Sequence, residues 1–301
     1  MNAQLVALAV FDGISYAALV FLVAVGLTLV FGVLRVLNVA HGSFYALGAY
    51  ATASVGGAIF AAGYAPWLAF PLMLLAAVLI GVLVGGPIEK FLLGRIYELE
   101  DVLQILVTFA VFMILEDVQR LIWGGQPFFE ATALNQLGTV AVFGITYTVY
   151  QLIFLPAVAI VVLIGLRLGL RRTLTGRLIT AVTEDREAAV TIGIDVERIY
   201  LITFIIGASL AAFGGALASA TTSVVPGMGA DMIVLSFAVV ATAGLGQIEG
   251  AAVTALLIGL GRSFAVYLWP ELEVLIPYII MFGVLLVRPS GLFGTVQARK
   301  I

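Results

Sequence analysis

The chain has 301 residues, of which 63 % are hydrophobic and 10 % charged, with a formal net charge of −3. A soluble domain carries about 25 % charged residues, so this composition, with a mean hydropathy of +1.20, excludes a soluble domain. There is no cysteine, which excludes disulfides and thiolate metal sites, and the alternating short strands of a membrane barrel do not occur in the sequence.

Apolar segments lie near 13–34, 39–60, 66–88, 102–123, 147–169, 199–220, 232–246, 250–268 and 274–288. About 20 apolar residues cross a bilayer as a helix, so the pattern predicts an all-α, polytopic transmembrane helical bundle with broken or re-entrant helices. The stretch MNAQLVALAVFDG has no basic run ahead of its apolar residues, and the first segment reads as a retained helix rather than a cleaved signal.

Past the first segment, Arg35, Asn38, His41 and Gly42 put polar side chains and a glycine at the start of an apolar run. Irregular backbone at membrane depth survives only inside protein or beside a wet cavity, so a break is expected here. Asn38 and His41 are expected to bond the freed backbone groups at the cytoplasmic mouth. His41 is the one histidine, and a histidine without clustered partners makes no metal site. Segment 102–123 carries Gln104, Thr108, Glu116, Asp117 and Arg120, with Glu116 and Arg120 spaced to pair along one face. Intramembrane charge marks function by default, but near a helix end it snorkels; both readings stand for this pair. Asn38, His41, Gly42, Ser43, Tyr45, Gln104, Thr108, Glu116 and Gln247 form the candidate translocation path, with Asp231 and Glu249 flanking the pair 232–268. Few charges lie deep in the apolar runs, which suits a neutral or zwitterionic solute rather than an ion.

Residues 167–198 form a polar island with eleven charged residues. Within the loop 170–198, Leu174, Leu178 and Val182 recur at four-residue spacing on a first helix. A second helix is expected over 184–192, with Thr183 as its cap and Glu184 and Asp185 in the favoured first turn. Gly193 would take the left-handed conformation that stops it. Glu184, Asp185, Arg186 and Glu187 are then exposed at one end, and Ala188, Ala189 and Ile192 offer a small apolar contact. Such a helix suits docking into a groove on another protein; the alternative is a solvated loop whose arginines only fix topology.

Segment 199–220 carries two small-residue ridges, Gly207, Ala211, Gly215, Ser219 and Ala208, Ala212, Ala216, Ala220. Four-residue spacing lets another helix approach closely, so this helix is expected at the centre. The pair 232–246 and 250–268 reads either as two short crossings joined by GLGQIEG or as a re-entrant pair.

Lysine and arginine cluster at Lys90 and Arg95, from Arg167 to Arg198, and at Arg288, Arg299 and Lys300. The positive-inside rule places these clusters in the cytoplasm, with the N-terminus outside, the C-terminus inside and an odd number of crossings. Trp67, Trp123 and Trp269 then fall at external ends, as interfacial anchors do. The two lysines, Lys90 and Lys300, sit in no P-loop motif, so the chain carries no ATPase centre of that type.

Four stretches carry a resemblance. Asn38-Val39-Ala40-His41-Gly42 continues into Tyr45, Gly48 and Tyr50; Gly176-Arg177 leads to Glu184-Asp185, Glu187-Ala188-Ala189 and Gly193-Ile194; Leu201 to Gly215 is a small-residue helix; and Pro289 precedes Gly291-Leu292-Phe293-Gly294. Over about residues 10–295 the chain resembles the branched-chain amino acid permeases of ABC importers, the Liv type, and within it LivH more than LivM. It departs from them in having Gly246-Gln247-Ile248-Glu249-Gly250 where relatives carry a Gly-Ser-x-Pro-Gly type turn, and in lacking an Arg-Pro within Glu89–Arg95.

The resemblance implies one transmembrane permease domain over 1–301, in the inner (plasma) membrane of a bacterium or archaeon. Residues 170–198 become its coupling loop, with Glu184, Asp185, Arg186, Glu187, Ala188, Ala189 and Gly193 as contacts. Implied partners are a second, homologous permease subunit, two cytoplasmic ABC ATPase subunits that bind ATP and magnesium, an extracytoplasmic solute-binding protein and membrane lipid, with no nucleic acid and no cofactor in this chain. Branched-chain amino acids are the implied substrate. Urea, amides or aromatic acids, carried by other members, remain open, as does an ion-coupled secondary transporter, which also places its site on broken helices.

Overall fold

The computed structural model describes residues 3–142 and 144–294; Arg299 and Lys300 lie outside them. Each of the nine apolar segments is helical. Helix α1 (Ala3–Leu34) is followed by α2 (His41–Ala61), then by α3 (Ala69–Ile80) and α4 (Gly86–Phe91), joined through a π-turn at Gly81–Gly85. After α5 (Asp101–Trp123) come the short α6 (Thr132–Gln136) and an antiparallel hairpin, β1 (Thr139–Val142) and β2 (Ile145–Thr148), with Thr139 opposite Thr148. The chain continues with α7 (Leu155–Arg172), α8 (Leu174–Glu184), α9 (Arg186–Thr191), α10 (Val196–Ala218), α11 (Met228–Ala243), α12 (Ile248–Leu268) and α13 (Ile276–Val287).

Among the described residues, six stretches are long and apolar enough to cross a membrane: Gln4–Leu34, His41–Ala61, Pro66–Arg95, Tyr150–Arg172, Val196–Ala218 and Ile248–Leu268. In lipid a helix satisfies its backbone groups internally, so an apolar chain of this pattern resolves into a polytopic all-α membrane protein. The α5 helix is as long but carries Glu116, Asp117 and Arg120, while α11 and α13 are shorter.

Helix α10 is central, as its ridges predict. Gly207, Ala211, Gly215, Ser219 and Ala208, Ala212, Ala216, Ala220 are all buried, and the helix packs on α1, α2 and α3. Hydrocarbon tails are as apolar as leucine, so what holds such helices together is close contact. Gly207 meets the backbone of Gly26 in α1, and Gly215 lies directly against the Tyr45 carbonyl of α2. On the other side of α1, Gly259 of α12 packs on Gly13 and Ala17.

In the pair α11–α12, α12 is long and apolar enough to cross a membrane, while α11 is shorter, at 16 residues. The turn between them, Gly244–Gln247, rests against the last turn of α1, where Gly246 faces Gly32, and Arg167 at the end of α7 pairs with Glu249 at 3.4 Å. The motif Pro289–Gly294 closes over the same turn: the Leu292 and Phe293 amides donate to the Thr242 and Ala243 carbonyls at 2.8 and 2.9 Å. These bonds satisfy terminal carbonyls that α11 leaves open. One end of the molecule thus gathers Lys90 and Arg95, the 167–198 island and Arg288; one groove there is lined jointly by Lys90, Arg95, Arg186 and Arg198.

The hairpin was not foreseen from sequence, where 123–146 read as a loop. It is pinned to α1 and α12 through Asp12, whose carboxylate accepts from Tyr147 at 3.2 Å and from Tyr267.

Candidate functional site

Two places in the fold hold the residues singled out from sequence. The first is the break between α1 and α2. Helix α1 ends at Leu34, Arg35 takes a left-handed backbone (φ 55°), and residues 35–38 leave helical geometry before α2 starts at His41. His41 Nε2 lies 3.1 Å from the carbonyl of Val23, which is about three turns, roughly 16 Å, before the end of α1. The chain therefore doubles back along α1, and α2 begins deep inside the bundle. Helix α11 begins at the same depth, since Gly229 contacts the backbone of Gly42. Two broken-helix starts meet there with no room for a side chain between them.

The freed backbone is satisfied by a helix that sequence reading did not credit. Thr108 of α5 accepts from the Val39 amide at 3.3 Å, and its one hydroxyl proton is shared between the Leu37 carbonyl at 3.2 Å and the Ile105 carbonyl of its own helix at 3.0 Å. One hydroxyl thus meets a carbonyl and an amide of the irregular stretch. Asn38 and His41, expected in that role, do not fill it. His41 Nε2 bonds α1, and its ring lies edge-on to Phe44 at 6.3 Å. The Asn38 amide, buried to 1 % exposure, has no hydrogen-bond partner among the described residues, nor has His41 Nδ1. Buried polar groups are ordinarily paired, so these two carry the remaining hydrogen-bonding capacity of the break.

Ser43 Oγ donates to the Phe112 carbonyl at 3.4 Å, and the Ser43 carbonyl accepts from Gln119 Nε2 at 3.5 Å. Gln104 is buried and donates to the Leu99 and Tyr97 carbonyls at 2.8 and 3.3 Å. Tyr45 is buried in α2. Glu116 pairs with Arg120 at 2.6 Å, and a narrow cleft joins it to Ser43, Phe112, Gln119, Gly227 and Gly229. The fold therefore brings Asn38, His41, Gly42, Ser43, Thr108 and Glu116 around one junction. Gln247 is elsewhere, in a cavity of about 940 Å³ at the charged end, with Phe31, Arg35, Glu184 and Ser290.

Two features escaped the sequence reading. Gln119 lies one turn from Glu116 and holds α2 directly. Arg262 of α12 stacks on Tyr16 at 4.0 Å and pairs with Glu273. An arginine inside an apolar segment was the signal that points to it.

Thr108 carries a direct prediction. Thr108→Val leaves the Leu37 carbonyl and Val39 amide without a partner and should cost about 1–2 kcal/mol, while Thr108→Ser keeps both bonds. Thermal denaturation of the solubilised protein distinguishes the three forms.

The second place is the polar island. The helix expected over 184–192 is two pieces. Asp185 is extended (φ −150°, ψ 100°) and its carboxylate caps α9 by accepting from the Ala188 amide at 3.0 Å. Thr183, expected as the cap, lies within α8 and donates to the Ile179 carbonyl at 2.8 Å. Gly193 is left-handed (φ 84°); its amide reaches Val190 and the Ile194 amide reaches Ala189, each at 3.0 Å, the paired bonds of a Schellman stop. On α8 the buried face is Gly176, Ile179 and Val182, and Leu178 packs partly against the core; of the expected stripe only Leu174, 68 % exposed, turns away from the bundle. Ala189 is buried and seats α9, while Arg186, Glu187, Ala188, Val190 and Ile192 stay exposed.

Arg186 lies 6.0 Å over the Tyr200 ring, Tyr200 meets Tyr97 edge-on at 5.1 Å, and the Tyr97 hydroxyl donates to Glu89 at 2.8 Å. Burial first, and then the Glu89 carboxylate, push the Tyr97 phenol well above its ordinary value, so it stays a donor. Grooves of about 990 and 750 Å³ flank α9, and both include Tyr97, Arg186, Val190 and Tyr200.

Comparison with known proteins places the chain in a family. The family model described as "Branched-chain amino acid transport system / permease component" matches residues 9–285. The high-affinity branched-chain amino acid transport system permease protein LivH of Salmonella typhimurium is 25 % identical, with 97 % of this chain and 96 % of the relative covered. The corresponding BraD of Pseudomonas aeruginosa is 26 % identical over 96 % of each chain. A probable LivH of Methanocaldococcus jannaschii is 29 % identical over 93 % of this chain and 90 % of its own. No solved structure matches. The chain belongs to the family of permease components of branched-chain amino acid transport systems.

Proposed function

We propose that this chain is a membrane-spanning subunit of an ATP-driven importer for branched-chain amino acids, working beside a second, homologous permease. Two ATPase subunits holding ATP and magnesium would dock on α9, and an external binding protein would deliver the solute. In this reading the island faces the cytoplasm of a bacterium or archaeon and the N-terminus lies outside. The observation that carries it is α9 itself: a short helix, capped at both ends and exposed along one side, at the end where the basic clusters gather. A topology signal alone needs arginines and no capped helix. The substrate reading rests on the names of the relatives and on the scarcity of unpaired charge around the break.

The geometry also supplies a route for the work. A push on α9 acts through Arg186 and Tyr200 on Tyr97, then on α4 through Glu89 and on α5 through Gln104. Thr108, one turn further along α5, holds the irregular stretch that starts α2. Movement of α5 would thereby reset the junction of α2 and α11.

Glu187→Arg reverses the charge on the exposed side of α9 without touching the core. Uptake by the assembled transporter should fall about tenfold or more, as for loss of an interface anchor, with membrane insertion unchanged. Normal substrate-stimulated ATP hydrolysis in that variant would overturn the docking role.

A further inference from the structure

We propose that Arg171, Arg172 and Arg177, at the corner between α7 and α8, form a binding site for the phosphate headgroup of an anionic phospholipid. The inference needs only that the chain spans a membrane. Among the candidate spans, Tyr150–Arg172 is the one least buried by the rest of the protein. Its exposed face runs through Ile160, Val161, Ile164 and Leu168, and at 100° per residue Arg171 falls on the same face. The span of 23 residues is roughly 35 Å long against a hydrocarbon core of about 30 Å. A helix seated in lipid by that apolar face therefore delivers Arg171 and Arg172 to headgroup depth.

The corner is built rather than loose. Thr173 leaves helical geometry and its hydroxyl caps α8 on the Gly176 amide at 2.9 Å. Gly176 sits directly on the backbone of Gly169 and Leu170, which folds the first turn of α8 back onto α7 and keeps Arg177 beside the helix end. Leu174, at the apex, is largely exposed between the arginines, where an apolar side chain belongs if it enters the lipid interface. All three arginines are exposed and form no ion pair or side-chain hydrogen bond among the described residues. Arg167, one turn earlier, is by contrast taken by Glu249. No acid occurs between Arg167 and Thr183, and among the described residues none pairs with these three arginines. Basic residues at the membrane surface favour anionic lipid, arginine and lysine alike.

The test is native mass spectrometry of the full protein, with whatever subunits it carries, released from nanodiscs of mixed phosphatidylglycerol and phosphatidylcholine. Wild type should retain phosphatidylglycerol in preference to phosphatidylcholine. Retention should weaken about fivefold for each arginine changed to glutamine, and the triple lysine variant should keep most of it. Inorganic phosphate added at the same concentration should not displace the lipid. Equal retention of the two lipids by wild type overturns the proposal, and so does unchanged retention in the triple glutamine variant. Displacement by inorganic phosphate would make this a free-anion site. Loss of a co-purifying protein with lipid retention intact would assign the arginines to a protein partner; either result removes the lipid. Should the triple glutamine variant fail to insert, the lipid preference of wild type and the lysine variant decides.

Discussion

Valine in place of Gly215 should leave little folded protein. Gly215 of α10 lies against the Tyr45 carbonyl, and Gly48 of α2 meets the Ala212 carbonyl on the same interface. A side chain at either position meets backbone, which cannot turn aside as a flexible side chain can. Overpacking a core costs about 1–3 kcal/mol, and parting two central helices takes the upper end of that range or beyond. The loss also spreads, because α10 contacts α1, α2 and α3 together. Gly165→Val is the control: it adds the same side chain on α7 where nothing lies within 4 Å. Monodisperse yield after detergent extraction should collapse for Gly215→Val and hold for Gly165→Val. Equal behaviour of the two would mean that close approach does not hold α2 to α10.

Tyr97→Phe should be the most damaging loss of a single hydroxyl. Glu89 is 4 % exposed, and its recorded hydrogen bond is the one it accepts from Tyr97. Phenylalanine keeps the ring contact with Tyr200 and removes only the donor, so a buried carboxyl loses its partner. Bonds to charged groups are worth about 1.5–3 kcal/mol, and replacing both partners by apolar groups of similar shape can be nearly neutral. Glu89→Leu combined with Tyr97→Phe should therefore recover most of the stability lost in Tyr97→Phe, read as thermal midpoints across the cycle. Under the importer reading the double variant would remain uncoupled, hydrolysing ATP with little uptake, because α9 has lost its grip on α4. Full stability in Tyr97→Phe alone would show that Glu89 does not depend on this bond.

Much of the fold was legible in the chain. Hydrophobic run length located the nine apolar helical segments, and four-residue spacing of small side chains singled out α10 as central. Gly193 announced the end of α9, because a left-handed position favours glycine whatever surrounds it. The sequence reading erred where two local solutions compete. Thr183 and Asp185 are both able to cap a helix, and the choice turned on the Thr183 hydroxyl being occupied within α8. Leu174, Leu178 and Val182 fit a helical stripe, yet with Gly176 seated closely on α7 the inward face is shared by Ile179 and Val182, and Leu174 is left exposed. Thr108 and Gln119 were passed over as partners of the break because nothing along the chain ties them to residues about seventy positions earlier.

The sequence by itself determined what depends on local chemistry: membrane residence, the nine apolar helical segments, the position of the break, the end where positive charge gathers and the family. Hydropathy, capping and glycine conformations act over a few residues, and they read directly. The tertiary structure alone decided what those pieces meet. It set the start of α2 beside Val23, brought α11 onto Gly42, gave the irregular backbone to Thr108, joined Tyr97 to Glu89 and moved Gln247 away from the break to the charged end. Each of these is a contact between distant segments, decided by how closely whole helices can pack, and no local pattern encodes that distance.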